Sequence, residues 1–207
     1  FGAGRTPAGT KRRGVATITD ARSFFAPVPL YRQLTWWALA FPLLMTAALA
    51  SRNLYLLNWT HVLSGALWTG ADLFMGFILG PVLRRLDPPQ RTAVIAYLVP
   101  RTLLYFPMVA LTTSTAGWFL ATWLGFLRPD QPQFPWLVGA LVLVALMTIQ
   151  GLAIFLPNSV RIWIELQKPA PNRELIVGLN RVNIILSGLQ GVMQVATILI
   201  MAHFVIP

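Results

Sequence analysis

Apolar residues run through the chain in five blocks, at about 34–50, 54–83, 103–126, 136–156 and 182–206, separated by short segments rich in Pro, Arg and Asp. A bilayer's hydrocarbon core takes about 20 helical residues, so blocks of this length with few charges read as membrane spans. The pattern predicts an all-α, polytopic integral membrane protein whose five transmembrane helices form a small bundle. The first block is short, and Pro42 is expected to kink it. Pro88 and Pro89, in LRRLDPPQR, are expected to stop the second helix, and a surface helix over 92–98 is expected to break at Pro100 before the third. LRPDQPQFP, with three prolines, reads as a tight turn, and 158–181 as a basic connecting segment with an interfacial Trp163.

Within these blocks the polar positions are not scattered. At 3.6 residues per turn, His61, Gly65, Trp68 and Asp72 fall at i, i+4, i+7 and i+11 and share one face of the second span. In the fifth span, Asn183, Ser187, Gln190, Gln194 and Thr197 form a similar stripe, which marks the side turned toward the bundle. His203 lies about half a turn out of phase with that stripe. Interfacial snorkelling or contact with a neighbouring subunit is therefore its expected role, ahead of axial ligation of a haem shared with His61.

Composition agrees with a membrane domain. Hydrophobic residues make up 56% of the 207 and charged residues 11%, where a soluble domain carries roughly a quarter charged. The net charge of +10 would suggest nucleic acid in a soluble protein. Here no nucleic-acid partner is expected, because the basic residues gather between the apolar blocks and report topology and contact with anionic headgroups of the lipid bilayer. Of 16 Lys and Arg, only Arg52 and Arg128 fall on one side of a five-span arrangement. The positive-inside rule then predicts a cytoplasmic N-terminus and a C-terminus outside, in a multi-pass protein of a bacterial inner (cytoplasmic) membrane. Residues 1–33 carry six of the basic residues with Asp20 as their single acid and cannot build a core of their own. This basic tail is expected to lie near acidic headgroups or to dock on other membrane subunits of a larger complex. The pattern of a secretory signal peptide is not expected in it.

Absent cysteine excludes disulfides, thiolate metal sites and cysteine nucleophiles. No P-loop, GxSxG, HExxH or paired-carboxylate motif occurs. Six methionines are spread along the chain without the grouping of a copper path. Two candidates remain. His61 can ligate haem iron or a metal through one ring nitrogen while the other donates to a carbonyl, with Gly65 admitting a flat macrocycle and Trp68 packing on its edge; the alternative is a hydrogen bond to a neighbouring helix. Asp72 lies deeper, where an unpaired carboxylate is costly and takes up a proton or seeks a donor. Gln150, Gln190 and the run Thr112, Thr113, Ser114, Thr115 are the expected donors, with Asn183 in the same polar membrane cluster. Such a cluster holds helices in register, and its functional versions are a proton or ion relay or part of a quinone headgroup pocket. Arg101 is expected to snorkel to the headgroups rather than pair with Asp72, and Gly76 and Gly80 are expected packing notches.

From His61 the second span reads His61-x6-Trp68-x-Gly70, then an apolar run to Pro81 and Arg84-Arg85. Residues 58–85 in this respect resemble the first helix of a group of small bacterial membrane proteins. The group includes CopD-type copper-resistance proteins, HemJ-type protoporphyrinogen oxidases and the membrane part of cytochrome-linked urate oxidases. The resemblance implies haem b or a metal on His61. The chain has fewer histidines than that group usually brings. The expected function is accordingly a small, largely structural transmembrane subunit of a redox or energy-converting membrane complex, binding haem b or a pigment through His61. A HemJ-like oxidoreductase and a CopD-like copper permease are the alternatives.

Overall fold

The computed structural model describes residues 29–204, and among these every regular element is helical. Of the basic tail, residues 1–28 lie outside the described residues; Leu30–Gln33 form a single turn, α1. A 3₁₀ turn, Trp36–Leu39, leads into α2, Ala40–Ala50. Then follow α3 (Leu54–Leu73), a π-helical segment (Phe74–Leu79) and α4 (Gly80–Arg85) as one continuous rod, and α5 (Pro88–Trp123). A second rod joins α6 (Phe134–Gln150), a π-helical segment (Gly151–Phe155) and α7 (Leu156–Leu166), and α8 (Arg173–Ala202) closes the bundle.

Four of these rods are long and apolar enough to cross a membrane: Leu54–Arg85, Pro88–Trp123, Phe134–Leu166 and Arg173–Ala202. The fifth expected span is the shorter Trp36–Ala50. It lies along α5 between two fixed points, the hydroxyl of Thr35 donating to the Arg101 carbonyl at 2.7 Å and Met45 and Ala48 packing with Leu57, Ala116 and Leu120. Pro42 sits in the first turn of α2, just after the 3₁₀ turn gives way to α-helix.

Three local expectations are corrected by tertiary packing. Pro88 and Pro89 open α5 rather than only ending the preceding helix, since proline is well suited to a first turn. The expected surface helix over 92–98 is continuous with the third span through Pro100, because Ile95 and Val99 are buried against Ile162 and Ile176 and hold the turns in line. The basic segment 158–181 is mostly helix: α7 buries Ile162, and α8 begins at Arg173, where the Asn172 side chain accepts from the Leu175 N–H at 3.1 Å. Glu165 secures the turn between them, accepting from the Asn172 N–H at 2.9 Å and pairing with Lys168 at 2.6 Å.

Both π-helical segments end two residues before a proline, Pro81 and Pro157. Each proline lacks the N–H for the residue four back, and its ring crowds that carbonyl; a widened turn just before it relieves the clash. The two wide turns border the same internal space.

Candidate functional site

The second and fifth expected spans meet directly. A Cβ added at Gly76 would lie 2.3 Å from the Cα of Gly188, and one at Gly80 would lie 2.6 Å from Ile184 Cγ2. The expected glycine notches thus admit α8 against the α3–α4 rod, as small residues do between helices in lipid. One turn before Gly76, Asp72 is almost wholly buried and accepts two amide hydrogen bonds on Oδ2, from Gln190 Nε2 at 3.0 Å and Gln194 Nε2 at 2.9 Å. Trp68 and Ser187 are further polar neighbours of this carboxylate.

The expected polar cluster is therefore divided. Asp72 and Gln190 come together, with Gln194, a member of the α8 stripe outside the expected cluster, as the second partner. Gln150 instead points its amide N–H at the Leu186 carbonyl, 3.4 Å away. Asn183 belongs to a second group, accepting from Asn158 Nδ2 at 2.9 Å and donating to Ser159 Oγ at 3.3 Å. Asn158 and Ser159 are hidden from sequence reasoning because the segment after Pro157 reads as a loop. No side chain of the run 112–115 is hydrogen-bonded to Asp72, although Ser114 lines the same cavity: the Thr113 hydroxyl lies 2.7 Å from the Val109 carbonyl and 2.8 Å from Ser64 Oγ. Arg101 does not reach it either, and turns back on its own helix to donate to the Tyr97 carbonyl at 2.6 Å.

Asp72 lies on the floor of a cavity of about 380 Å³ between α3, α5, the α6–α7 rod and α8. It exists because α5 and α6, although consecutive, are scarcely packed against each other. Met75 from the first π segment and Gly151, Leu152 and Phe155 from the second line it, with Ser114, Ser159, Asn180, Asn183, Ser187 and Gln190 among its polar members. Its size and mostly apolar wall with a few convergent polar groups match small-molecule sites.

His61 faces another helix. Its Nδ1 lies 2.8 Å from the Thr113 carbonyl oxygen on α5, and its ring fits against Gly117, where a Cβ would come within 2.7 Å of Cε1. A carbonyl only accepts, so Nδ1 carries the proton and Nε2 keeps its lone pair. Gly65 is covered by Thr113, whose Cγ2 would be 3.3 Å from an added Cβ, so a macrocycle has no entry at that notch. Trp68 turns into the core with Phe41, Val109 and Met147. His203 is exposed and stacks on Trp136 of α6 with ring centroids 3.9 Å apart, away from the polar stripe as its phase required. The two histidines thus contact different helices, and among the described residues no three His, Asp or Glu side chains gather as a metal-holding group.

Fold and site together define a helical membrane protein with an internal cavity. Comparison with protein-family models, with curated proteins and with solved structures finds no match.

Proposed function

We propose that the protein is a small multi-pass subunit of a bacterial inner-membrane complex, of the redox or energy-converting kind, and that its working site is the cavity over Asp72, where it holds a lipid-soluble molecule. One observation carries this reading: a buried carboxylate forms the floor of a mostly apolar space between four helices at membrane depth. A purely structural cluster needs no such space. Membership of a larger assembly is supported by the composition of residues 1–33, which offers contacts but no core. A cytoplasmic N-terminus is supported by Arg84, Arg85, Arg91, Arg161 and Arg173, all at the same ends of their rods, against Arg52 and Arg128 at the other.

The test is native purification with mass spectrometry of co-purifying chains and extracted small molecules, run beside Leu103→Trp, which fills the cavity from α5. An apolar molecule recovered from the unmodified protein should be depleted at least fivefold in the variant. Equal recovery from both would overturn the cavity as the working site, and a chain that purifies alone would overturn the subunit reading.

A second reading, haem b on His61, is supported by the fixed tautomer with its free Nε2. In that reading Nε2 of His61 would hold the haem and the Thr113 carbonyl would orient the ring. Haem would add electron transfer to the subunit's chemistry.

A further inference from the structure

With the cavity over Asp72 as the working site, a reading on which the ligand assignment rests, the polarity of its wall names the head of its ligand. The Asp72 carboxylate has no counter-charge: among the described residues that line the cavity none is Lys, Arg or His. Beside Trp68 and Ser187, the groups bonded to its Oδ2 are two neutral amides, and that bond fixes which way they turn. Gln190 and Gln194 both point Nε2 at Oδ2, since their carbonyl ends would repel it. Their Oε1 atoms are consequently buried without a partner, and Gln150 Oε1 shares that condition. Buried polar atoms are nearly always paired, so a carboxylate flanked by two amides with unmet acceptors is a site short of donors. Gln190 is itself a lining residue, beside Asp72 and Ser187.

The rest of the wall suits a cation with an apolar body. Trp68, Phe106 and Phe155 all line the space, and aromatic faces attract a desolvated ammonium. We propose that the cavity binds an amphiphilic organic ammonium, a protonated amine on a compact apolar body, whose N–H groups go to Asp72. An ammonium supplies up to three donors and the missing positive charge in a single group. A headgroup with acceptors only, such as an oxidised quinone, would set acceptors against the Asp72 carboxylate instead of donors.

Three cage compounds of nearly equal size separate these chemistries: 1-adamantylamine, 1-adamantanol and 2-adamantanone. Their binding would be measured by calorimetry on the full chain in phosphatidylcholine nanodiscs, with empty nanodiscs as the blank, and on Asp72→Asn and Leu103→Trp. The amine should bind saturably and at least tenfold more tightly than the alcohol or the ketone, and Asp72→Asn should remove that advantage. An alcohol or ketone that binds as tightly as the amine, or an amine affinity unchanged in Asp72→Asn, overturns the ammonium assignment while leaving the cavity reading intact if Leu103→Trp still abolishes binding. Binding of none of the three to the unmodified protein, or binding that Leu103→Trp leaves unchanged, overturns both. Should Asp72→Asn fail to fold, the ranking of the three ligands on the unmodified protein decides alone.

Discussion

Gly76 and Gly188 face each other where the first π-helical segment meets α8, with no room for a side chain on Gly76, where a Cβ would come within 2.3 Å of the Gly188 backbone. This approach sets the geometry of the buried carboxylate. Asp72 stands one turn before Gly76, and Gln190 and Gln194 follow Gly188 on the facing helix, so closing the notch brings a short side chain within 3.0 Å of both amides. Separation of the helices by even an ångström would lengthen both bonds beyond useful range.

Gly76→Ala should destabilise the bundle by about 1–3 kcal/mol, the range for overpacking a tight contact, because the nearest atoms are backbone and cannot swing away. Gly70→Ala is the control. Nothing lies within 4 Å of a Cβ there, and in a helix alanine should be neutral or up to about 1 kcal/mol more stable. Equilibrium unfolding of both variants in mixed detergent micelles measures the difference. Equal stability would mean that the first π-helical segment and α8 do not meet at this notch.

How far the sequence revealed this arrangement depends on which signals survive locally. The polar stripe of α8 and the face bearing Trp68 and Asp72 were legible from helical periodicity alone, and so were the notches at Gly76 and Gly80. What periodicity could not supply was the partner of each face. His61 and Gly65 turn toward Thr113 and Gly117 on α5, while Asp72, only three turns on, turns toward α8. Asn158 and Ser159 escape notice because proline and charge after residue 156 imitate a loop. Burial of Ile162 against Ile95 and Ile176 continues the helix there, and that contact is invisible until the third span is known to run unbroken past Pro100. The cavity itself arises from sparse packing between α5 and α6, which leaves no mark on either sequence.

Asp72 and Gln194 should prove coupled. Asp72→Asn keeps an acceptor for the glutamine amides and removes the charge, so a loss of about 1 kcal/mol or less is expected. Gln194→Leu leaves the carboxylate with Gln190 as its one remaining amide donor and should cost about 1.5–3 kcal/mol, the range for a hydrogen bond to a charged group. The double variant should recover part of the sum, with a coupling of about 0.5–1.5 kcal/mol in a double-mutant cycle. Strict additivity would show that the two side chains do not interact in the folded protein.

His61 should act first as a tie between α3 and α5. Its Nδ1–H donates to the Thr113 carbonyl at 2.8 Å, a bond between residues 52 apart in sequence, and Gly117 leaves the space that the ring fills. His61→Ala removes the bond and opens a gap, for an expected loss of about 1–2 kcal/mol. His61→Gln keeps a terminal N–H on a side chain of similar reach and should restore most of that stability. The same pair of variants tests ligation separately, because glutamine replaces the donor but offers no imidazole nitrogen. Were haem b held through Nε2, the protein as purified would carry a b-type absorbance band, and both variants would lose it although only one loses stability. A band that persists in His61→Gln would remove His61 as the ligand. Equal destabilisation by Ala and Gln would show that ring packing against Gly117, rather than the hydrogen bond to Thr113, is what joins the two helices.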